Sequence, residues 1–415
     1  MTADELAGRV ARPATSTPGR NAARTIAIVA VLMSVSPFTV DMYLPALPRI
    51  QHDLGATPSQ VQLSLTGVLL GLALGQLVIG PLADAFGRRR PVMIGLACHV
   101  LASLLCFQAH DVFLLAGLRF LQGLACAAVA VVSMATVRDL FAGADYARVM
   151  SRMFLVIGIA PVIAPAIGGV ILSFTDWSAI FLGLAGLGLG LLVISIVAFP
   201  ETLPPERRNP PTFAASATSY RALLSDPTYL ALILVGGLMF STLFSYVSGA
   251  SFVFQDRFGL SAQQFTVVFA SNAVALTVLA QVNPMLIRRF GPARVLTCAT
   301  VTGLASAVAL LLMLTVLDAG TVPVIGALAV SVASYGVSMP NSQGLALNRQ
   351  GHRAGTAAAL MGFTQFVIGS MVAPTVGLGG ADGVAMAATM VAATAGATTL
   401  MVVVVRRHPD TMAVR

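Results

Sequence analysis

The sequence predicts an all-α membrane protein with twelve transmembrane helices, arranged as two six-helix pseudo-repeats. Its 415 residues are 57% hydrophobic and only 10% charged, whereas soluble proteins carry about 25% charged residues. Twelve apolar runs each approach the roughly 20 residues that a helix needs to cross a bilayer. The arginines between these runs alternate strongly in density. Composition therefore excludes a soluble, a disordered and a coiled-coil protein.

Polar segments separate the twelve runs and end each predicted span. A cleaved signal peptide does not explain the first run, because that run is too long and no suitable cleavage site precedes the next polar segment. The predicted spans are residues 24–48, 61–83, 91–110, 112–137, 150–174, 177–199, 228–254, 262–287, 294–317, 321–347, 354–379 and 384–405.

The arginines predict the orientation of the chain. All 24 strongly basic residues are arginine. With the N-terminus inside, 21 of them fall in cytoplasmic segments, two (Arg49 and Arg257) lie outside, and Arg119 lies within a span. Basic residues concentrate on the cytoplasmic side, so we expect a multi-pass plasma-membrane protein with both termini in the cytoplasm. The charge is scattered between apolar runs, which suits an anionic membrane surface and not a nucleic acid.

The two halves of the chain repeat at an offset of 204 residues. The pairs at this offset are Leu54 and Phe258, Gly55 and Gly259, Phe86 and Phe290, Gly87 and Gly291, and Arg90 and Arg294. Two halves that both begin inside form a parallel repeat, which predicts a substrate site between them and rocking between inward-open and outward-open states. The expected domains are a cytoplasmic segment 1–23, bundles 24–199 and 228–405, a linker 200–227 and a tail 406–415.

Asp41 and Arg119 are the ionisable residues that lie deepest in the predicted spans. Such groups are costly in hydrocarbon and are functional candidates by default. Each lies seven residues from the outer end of its span, about 10 Å at 1.5 Å per residue. Burial disfavours an ionised carboxyl and a nearby arginine favours it, so we expect Asp41 to exchange protons under the influence of Arg119. The alternative is a static ion pair that only fixes packing.

A tight inner loop between spans 2 and 3 joins an aspartate to three arginines. Gly80 predicts close helix approach and Gly87 a sharp turn. We expect Asp84 to contact the inner end of span 4 and the positively polarised N-terminus of span 11, closing the inner side. The alternative is a positive cluster that only sets topology, beside a solvated aspartate. The residues of this predicted inner gate are Gly80, Asp84, Gly87, Arg88, Arg89 and Arg138.

A cavity for amphipathic molecules needs aromatic surface with a few polar groups. The candidates for this substrate cavity are Tyr43, Gln122, Phe240, Phe244, Asn272 and Gln365. The aromatic stripe of span 7 would equally suit contact with lipid. For His99, in span 3, a neutral histidine bonded to its neighbours is favoured over a proton relay. The four cysteines are interpreted as small apolar residues.

Five stretches now support a resemblance to a known family, namely residues 41–48, 80–91, 119–123, 158–169 and 200–204. Their order, spacing and placement resemble the major facilitator superfamily and, within it, the Bcr/CflA drug-resistance branch. The resemblance implies proton-coupled export of small molecules, often antibiotics, and links Asp41 and Arg119 to proton coupling. It also makes span 5 an antiporter motif, carried by Gly158, Pro161, Pro165, Gly168 and Gly169.

The chain departs from the family pattern at two positions. Ala85 stands where a basic residue is usual, and Met33 stands where some relatives carry a second acid, about two turns before Asp41. With one acid in span 1, we expect one proton to be exchanged per cycle.

Other functions remain as alternatives. The runner-up is a proton-coupled exporter or importer of an endogenous metabolite on the same fold. A membrane sensor would carry a large soluble appendage, and we expect none. The sequence has no phosphate-binding loop, metal-ligand cluster or Ser-His-Asp arrangement, so we expect no enzyme, no cofactor and no metal. The expected partners of a monomeric chain are a drug-like small molecule, protons and the lipid bilayer.

Overall fold

The protein is helical throughout the described part of the chain. The computed structural model describes residues 20–141, 143–208, 213–348, 350, 353–380 and 382–407, and these ranges contain no strand. Within them eleven helices are long and apolar enough to cross a membrane: Arg24–Asp53, Pro58–Phe86, Arg89–Phe107, Val112–Leu140, Ala179–Ala198, Pro227–Arg257, Ala262–Phe290, Pro292–Thr315, Thr321–Leu347, Ala354–Gly379 and Val384–Arg406. The remaining predicted span, 150–174, lies in the helix Gly143–Phe174. The predicted fold class is confirmed, and we number these helices spans 1 to 12 in chain order.

Span 1 is not one continuous helix. It consists of the helices Arg20–Met33 and Val35–Asp41, a 3₁₀ turn Leu44–Ala46, and the helix Leu47–Asp53. Prolines explain the interruptions, because a proline ring clashes with the carbonyl four residues earlier and offers no N–H donor. Pro37 stands four residues after the last residue of the first helix, and Pro45 stands four residues after the last residue of the second. Asp41 therefore lies at the carboxyl end of a short helix within the membrane, where the helix dipole is negative.

The repeat at an offset of 204 residues extends to local backbone geometry. Thr57 and Ser261 each begin a 29-residue helix with a capping box, in which the side chain accepts from the backbone three residues on. In both helices the glutamine at position N3, Gln60 or Gln264, accepts a hydrogen bond from the backbone N–H of the cap residue. Both helices end at a left-handed glycine, Gly87 with φ +88° and Gly291 with φ +79°. Spans 2 and 8 therefore occupy the same place in their two halves.

Spans 2 and 4 pack with their backbones in contact. At Gly71 an added Cβ would lie 2.6 Å from the backbone nitrogen of Leu124, and at Gly123 it would lie 2.8 Å from the carbonyl carbon of Val68. Small residues are what allow such an approach between membrane helices. This contact holds the part of span 4 that carries Arg119 against span 2.

The linker between the halves is partly helical. It contains the 3₁₀ turn Pro205–Arg207 and the helix Phe213–Leu224, and residues 209–212 fall outside the described ranges. Most of the predicted terminal segments 1–23 and 406–415 also fall outside them. Glu201, just after span 6, accepts a hydrogen bond from the backbone N–H of Arg88 at 2.8 Å. The start of the linker is thereby fixed to the loop between spans 2 and 3.

Hydrogen bonds between the two halves lie between the middle of the membrane and the predicted outer ends of the spans. Within the described residues, the donors and acceptors are Ser59 to Pro374, Gln62 to Ser248, Thr66 to Ser370, Ser251 to Leu44, Gln255 to Pro45, Gln263 to Ser173, Thr266 to Pro165 and Thr277 to Gly158. Most use a backbone carbonyl as acceptor, so they join helices at close range. The side of the bundle that is predicted to face outward is therefore held closed in this structure.

Candidate functional site

Arg119 is the largest of the fully buried side chains in the described chain, with 0% of its surface exposed. Its guanidinium donates to the side-chain oxygen of Gln122 and to the backbone carbonyl of Thr39, both at 2.8 Å. It also lies 4.2 Å from the ring centroid of Tyr43, within cation–π range. These contacts replace water around a charge that would otherwise be very costly to bury.

Arg119 retains unused hydrogen-bonding capacity. Its Nε is buried without a partner, and no described carboxylate forms an ion pair with the guanidinium. The alternative of a static Asp41–Arg119 ion pair is therefore wrong for this conformation. The guanidinium is satisfied by a neutral carbonyl and an amide, which leaves its positive charge uncompensated by contact.

A chain of polar side chains extends from Arg119 into the first half. Gln122 donates to Ser103 at 2.7 Å, and Ser103 donates to the backbone carbonyl of His99. His99 bonds in turn to the hydroxyl of Thr39 through Nε2 at 2.8 Å. The histidine is fully buried among spans 1, 3 and 6, and its Nδ1 has no partner. This geometry agrees with the interpretation of His99 as a histidine bonded to its neighbours.

Thr39 and Ser103 were not singled out from the sequence, because isolated hydroxyls are common in membrane helices and usually bond to their own backbone. Thr39 does so here, to the carbonyl of Val35. Thr39 also contacts both Arg119 and His99, and this depends on which face of span 1 is turned towards spans 3 and 4. Only the proximity of these residues in space reveals it.

Asp41 is buried, with 7% of its surface exposed, at the broken point of span 1. It lies within electrostatic range of Arg119 in its own half and of Tyr246 in the other half. Of the acids in the described spans, Asp41 is the one far from a span end. The carboxyl therefore lies between the polar network of the first half and the aromatic wall of the second.

The second half presents aromatic residues at this depth. Tyr246 accepts a hydrogen bond from Asn272 at 3.0 Å and stacks on Phe269, with ring centroids 5.3 Å apart and an interplanar angle of 14°. Both Asn272 and Tyr246 are buried. Spans 7 and 8 thus form one rigid aromatic surface next to the span that carries Asp41.

A second aromatic group lies beside it in span 7. Phe240 contacts Phe244, Tyr335 and Phe366, with centroid distances of 4.6, 5.9 and 5.5 Å. Gln365 donates to the hydroxyl of Tyr335 at 3.3 Å. Because Phe240 and Phe244 are each only 5% exposed, the alternative that the stripe faces lipid is wrong.

The predicted substrate cavity is thus divided between two environments. Phe240, Phe244, Asn272 and Gln365 group on the second-half wall. Tyr43 and Gln122 instead belong to the first-half network, where the hydroxyl of Tyr43 bonds to Ser64 at 3.0 Å and its ring lies under Arg119. Gln122 accepts from Arg119 and donates to Ser103.

The inner loop is a compact ion cluster centred on Arg88. Its guanidinium donates to Asp84 at 2.7 Å and to Asp139 of span 4 at 2.9 Å. Burial opposes the positive charge, but the hydrogen bonds and charges of Asp139 and Asp84 outweigh it and raise the pKa of Arg88. The cluster therefore joins span 2 to span 4 with an arginine that stays charged.

Two residues of the predicted inner gate, Asp84 and Gly80, do not make the predicted contacts in this conformation. Asp84 bonds to Arg88 in place of span 11, because the Gly87 turn returns Arg88 to the end of span 2. Arg138 lies nearest to span 11, since a Cβ at Gly355 would meet its guanidinium at 3.3 Å. Gly80 has open space where a Cβ would stand, so it serves no close approach here. Arg89 donates to the carbonyl of Ile196 at 2.5 Å.

The glycines of the predicted antiporter motif do mark close contacts. A Cβ at Gly168 would collide with the carbonyl oxygen of Met42, next to Asp41. Gly169 approaches Thr266 of span 8, and Thr266 donates to the carbonyl of Pro165 at 3.4 Å. Gly158 and Pro161 lie one turn apart in the same helix, where Thr277 reaches the carbonyl of Gly158 at 3.5 Å. Span 5 therefore fits between span 1 and span 8.

Comparison with known proteins now identifies the family. The model of the Major Facilitator Superfamily matches residues 29–374. The chain belongs to the major facilitator superfamily. It is 36% identical over 369 residues to an uncharacterized MFS-type transporter, YdgK, of Bacillus subtilis, covering 88% of this chain and 90% of that protein.

Two further relatives of this superfamily member carry names from drug resistance. A bicyclomycin resistance protein homolog of Haemophilus influenzae is 33% identical, covering 84% of this chain and 87% of its own. Multidrug resistance protein MdtL of Klebsiella pneumoniae is 30% identical, covering 80% and 83%. The resemblance to the Bcr/CflA drug-resistance branch is confirmed.

Solved structures agree on the fold. A D-xylose–proton symporter matches with a TM-score of 0.73 at 14% identity, over 90% of this chain and 96% of that one. A bacterial homolog of the human lysosomal transporter Spinster matches with a TM-score of 0.74 at 14% identity, over 96% and 99%. At such identities the likeness concerns the fold only.

Proposed function

We propose that this transporter exports small amphipathic molecules, antibiotics among them, in exchange for protons by alternating access. One observation carries the proposal: Asp41 is a buried carboxyl deep in the membrane, set between the charged network of Arg119 and the aromatic wall of Tyr246 and Phe269. The names of two relatives, which refer to bicyclomycin resistance and to multidrug resistance, support antibiotics as a substrate class.

The proposed cycle has two states. With the site open to the outside, Asp41 takes a proton from the medium and the exported molecule leaves. With the site open to the inside, the proton passes from Asp41 to the cytoplasm and a new molecule occupies the space beside the carboxylate. Because Met33 replaces a second acid in span 1, one proton moves inward for each molecule that moves outward.

Arg119 balances the charge in this cycle. Its guanidinium is fixed by Thr39 and Gln122 and has no carboxylate in contact, so it stabilises the ionised form of Asp41 at short range without locking it in an ion pair. Arginine suits this role because it remains charged when buried. The cluster around Arg88 holds the inner ends of spans 2 and 4 together during the cycle, and both termini lie in the cytoplasm.

The test is transport in proteoliposomes with an imposed pH gradient. Asp41→Asn mimics the protonated carboxyl, so we expect it to abolish uphill export and to retain some downhill movement of substrate. The matched control is Asp53→Asn, an acid at the exposed end of the same span, which should transport like the unmodified protein. Uphill export by Asp41→Asn at the unmodified rate would contradict the proposal.

A second readout separates drug export from the runner-up function. Cells that lack their own efflux pumps and express the chain should resist several unrelated amphipathic antibiotics, and Asp41→Asn should remove this resistance. Proton-driven movement of a metabolite without any gain in resistance would favour a metabolite transporter on the same fold.

A further inference from the structure

Two apolar grooves open on the surface of the helical bundle, away from Asp41. The second-half groove lies among spans 8, 9 and 10 and has a volume of about 730 Å³, and the first-half groove lies among spans 2, 3 and 4 and has about 490 Å³. Both volumes are in the range of ligand pockets, about 300–1,000 Å³. Residue pairs at the repeat offset of 204 line them in common: Leu82 and Leu286, Phe86 and Phe290, and Arg90 and Arg294.

Each groove combines an apolar body with one charged end. In the second-half groove, Arg294 lies at the inner mouth, and Cys298 lines the wall one helical turn further into the membrane. In the first-half groove, Arg90 lies at the inner mouth and Cys98 lines the wall two helical turns further into the membrane. An acyl chain below an acidic headgroup has the matching chemistry, since basic pockets between membrane helices bind anionic lipid headgroups.

The two grooves differ in the charge around their mouths. In the first half, three carboxylates lie near the mouth: Asp84 and Asp139 pair with Arg88. Glu201 pairs with Arg208 and also accepts from the backbone of Arg88. Arg90 itself forms no ion pair with a described carboxylate, but these three carboxylates outnumber the two arginines that they pair with. In the second half, the position of Asp84 at the repeat offset is occupied by Arg288. Among the residues that the structure describes, Arg288, Arg289 and Arg294 form no ion pair with any carboxylate.

We propose that the second-half groove binds an anionic phospholipid, with an acyl chain along Leu286, Phe290 and Cys298 and the headgroup phosphate at Arg294. The excess positive charge of this mouth has no carboxylate to neutralise it within the described chain, and a lipid phosphate supplies the missing negative charge. Near the first-half groove the surplus carboxylate charge of Asp84, Asp139 and Glu201 offsets the charge of Arg90, so this groove binds anionic and zwitterionic lipids alike. The proposal does not depend on what the protein transports.

The test uses the two groove cysteines as reporters in one protein. The full-length chain is purified in an uncharged detergent and mixed with dioleoylphosphatidylglycerol or dioleoylphosphatidylcholine. N-ethylmaleimide labelling of Cys298 and Cys98, both exposed at the grooves, is then read separately by peptide mass spectrometry. We expect phosphatidylglycerol to protect Cys298 at lower concentrations than phosphatidylcholine, and the two lipids to protect Cys98 equally.

Charge variants decide whether the arginine is responsible. Arg294→Gln should raise the phosphatidylglycerol concentration that protects Cys298 by about fivefold, the effect of one basic residue near an anionic lipid. The matched control, Arg90→Gln, sits at the equivalent position and should leave Cys298 unchanged. In the unmodified protein, raising the ionic strength from about 0.05 to about 0.5 M should weaken protection by phosphatidylglycerol only. Equal protection of Cys298 by both lipids, or a preference that survives Arg294→Gln, would overturn the proposal.

Discussion

The hydrogen bonds from span 7 to span 1 predict how strongly the outer side is held closed. Ser251 donates to the carbonyl of Leu44 at 2.7 Å, and Gln255 donates to the carbonyl of Pro45 at 3.1 Å. Proline prevents a regular helix here. The carbonyl of Leu44 accepts from the backbone of Leu47 in the 3₁₀ turn and has a second lone pair for Ser251. The double variant Ser251→Ala/Gln255→Leu removes these two of the hydrogen bonds between the halves and changes no residue of the Asp41 site.

The expected magnitude follows from the number of bonds lost. A hydrogen bond between uncharged groups contributes about 1 kcal/mol net, so losing two costs the closed state about 2 kcal/mol. That is roughly a 30-fold shift of the equilibrium towards the outward-open state, because each 1.4 kcal/mol is a factor of about ten. A protein that rests with its outer side closed should then populate the open state measurably.

Electron-spin distance measurements detect this shift. Spin labels at His52→Cys and Asp318→Cys, whose side chains are 90% and 96% exposed, report the separation of the outer ends in a chain with its four native cysteines replaced by alanine. We expect the double variant to gain a population at longer distance. The matched control is Ser241→Ala in the same span, where the hydroxyl bonds only to its own helix at Leu238. An unchanged distance distribution in the double variant, or the same change in the control, would refute the reasoning.

Three further predictions concern topology, the inner cluster and the buried arginine. In intact cells, an impermeant thiol reagent should label Asp256→Cys and not Thr212→Cys, each in a cysteine-free chain; labelling of the latter contradicts a cytoplasmic linker. Asp84→Asn should impair transport and leave abundance nearly normal, since the Asp84 side chain is 56% exposed and exposed ion pairs contribute about 0–1 kcal/mol to stability. Asp139→Asn, at 20% exposure, should lower the melting temperature more than Asp84→Asn does. The reverse order of melting temperatures would be inconsistent with this cluster. Arg119→Lys should keep more uphill transport than Arg119→Ala and less than the unmodified protein, because an ammonium group lacks the planar fork that reaches two acceptors. Uphill transport by Arg119→Ala at the unmodified rate would remove the arginine from the mechanism.

Hydrophobic run length and composition were sufficient to predict most of the fold. The spans follow from the run lengths, and the offset of 204 residues reappears as matched capping boxes and left-handed glycines. Both features depend on short stretches of chain, so they can be predicted locally. The interruption of span 1 was predictable on the same basis from Pro37 and Pro45, although hydropathy treats both prolines as part of one apolar run.

The candidate site was only partly predictable because side-chain direction depends on helix rotation. The positions of Asp41 and Arg119 several residues from the ends of their predicted spans correctly indicated that both are buried. These positions carried no information on whether the two side chains are in contact. Gln122 and Tyr43 were assigned to a substrate surface, yet both face the buried guanidinium. Arg119 donates to the backbone carbonyl of Thr39. Every residue has a backbone carbonyl, so the residue type at position 39 could not have indicated this contact.

The interruption of span 1 has a consequence for how motion reaches the carboxyl. On one side of the break, Thr39 is tied through its carbonyl and hydroxyl to the first half. On the other side, the carbonyls of Leu44 and Pro45 are tied to the second half. If one half rotates relative to the other, the backbone between Thr39 and Leu44 must change conformation, because its two ends are hydrogen-bonded to different halves. Asp41 lies in this segment. Span 1 is then expected to bend at this point and not to move as one rigid rod, and the carboxyl of Asp41 lies where it bends.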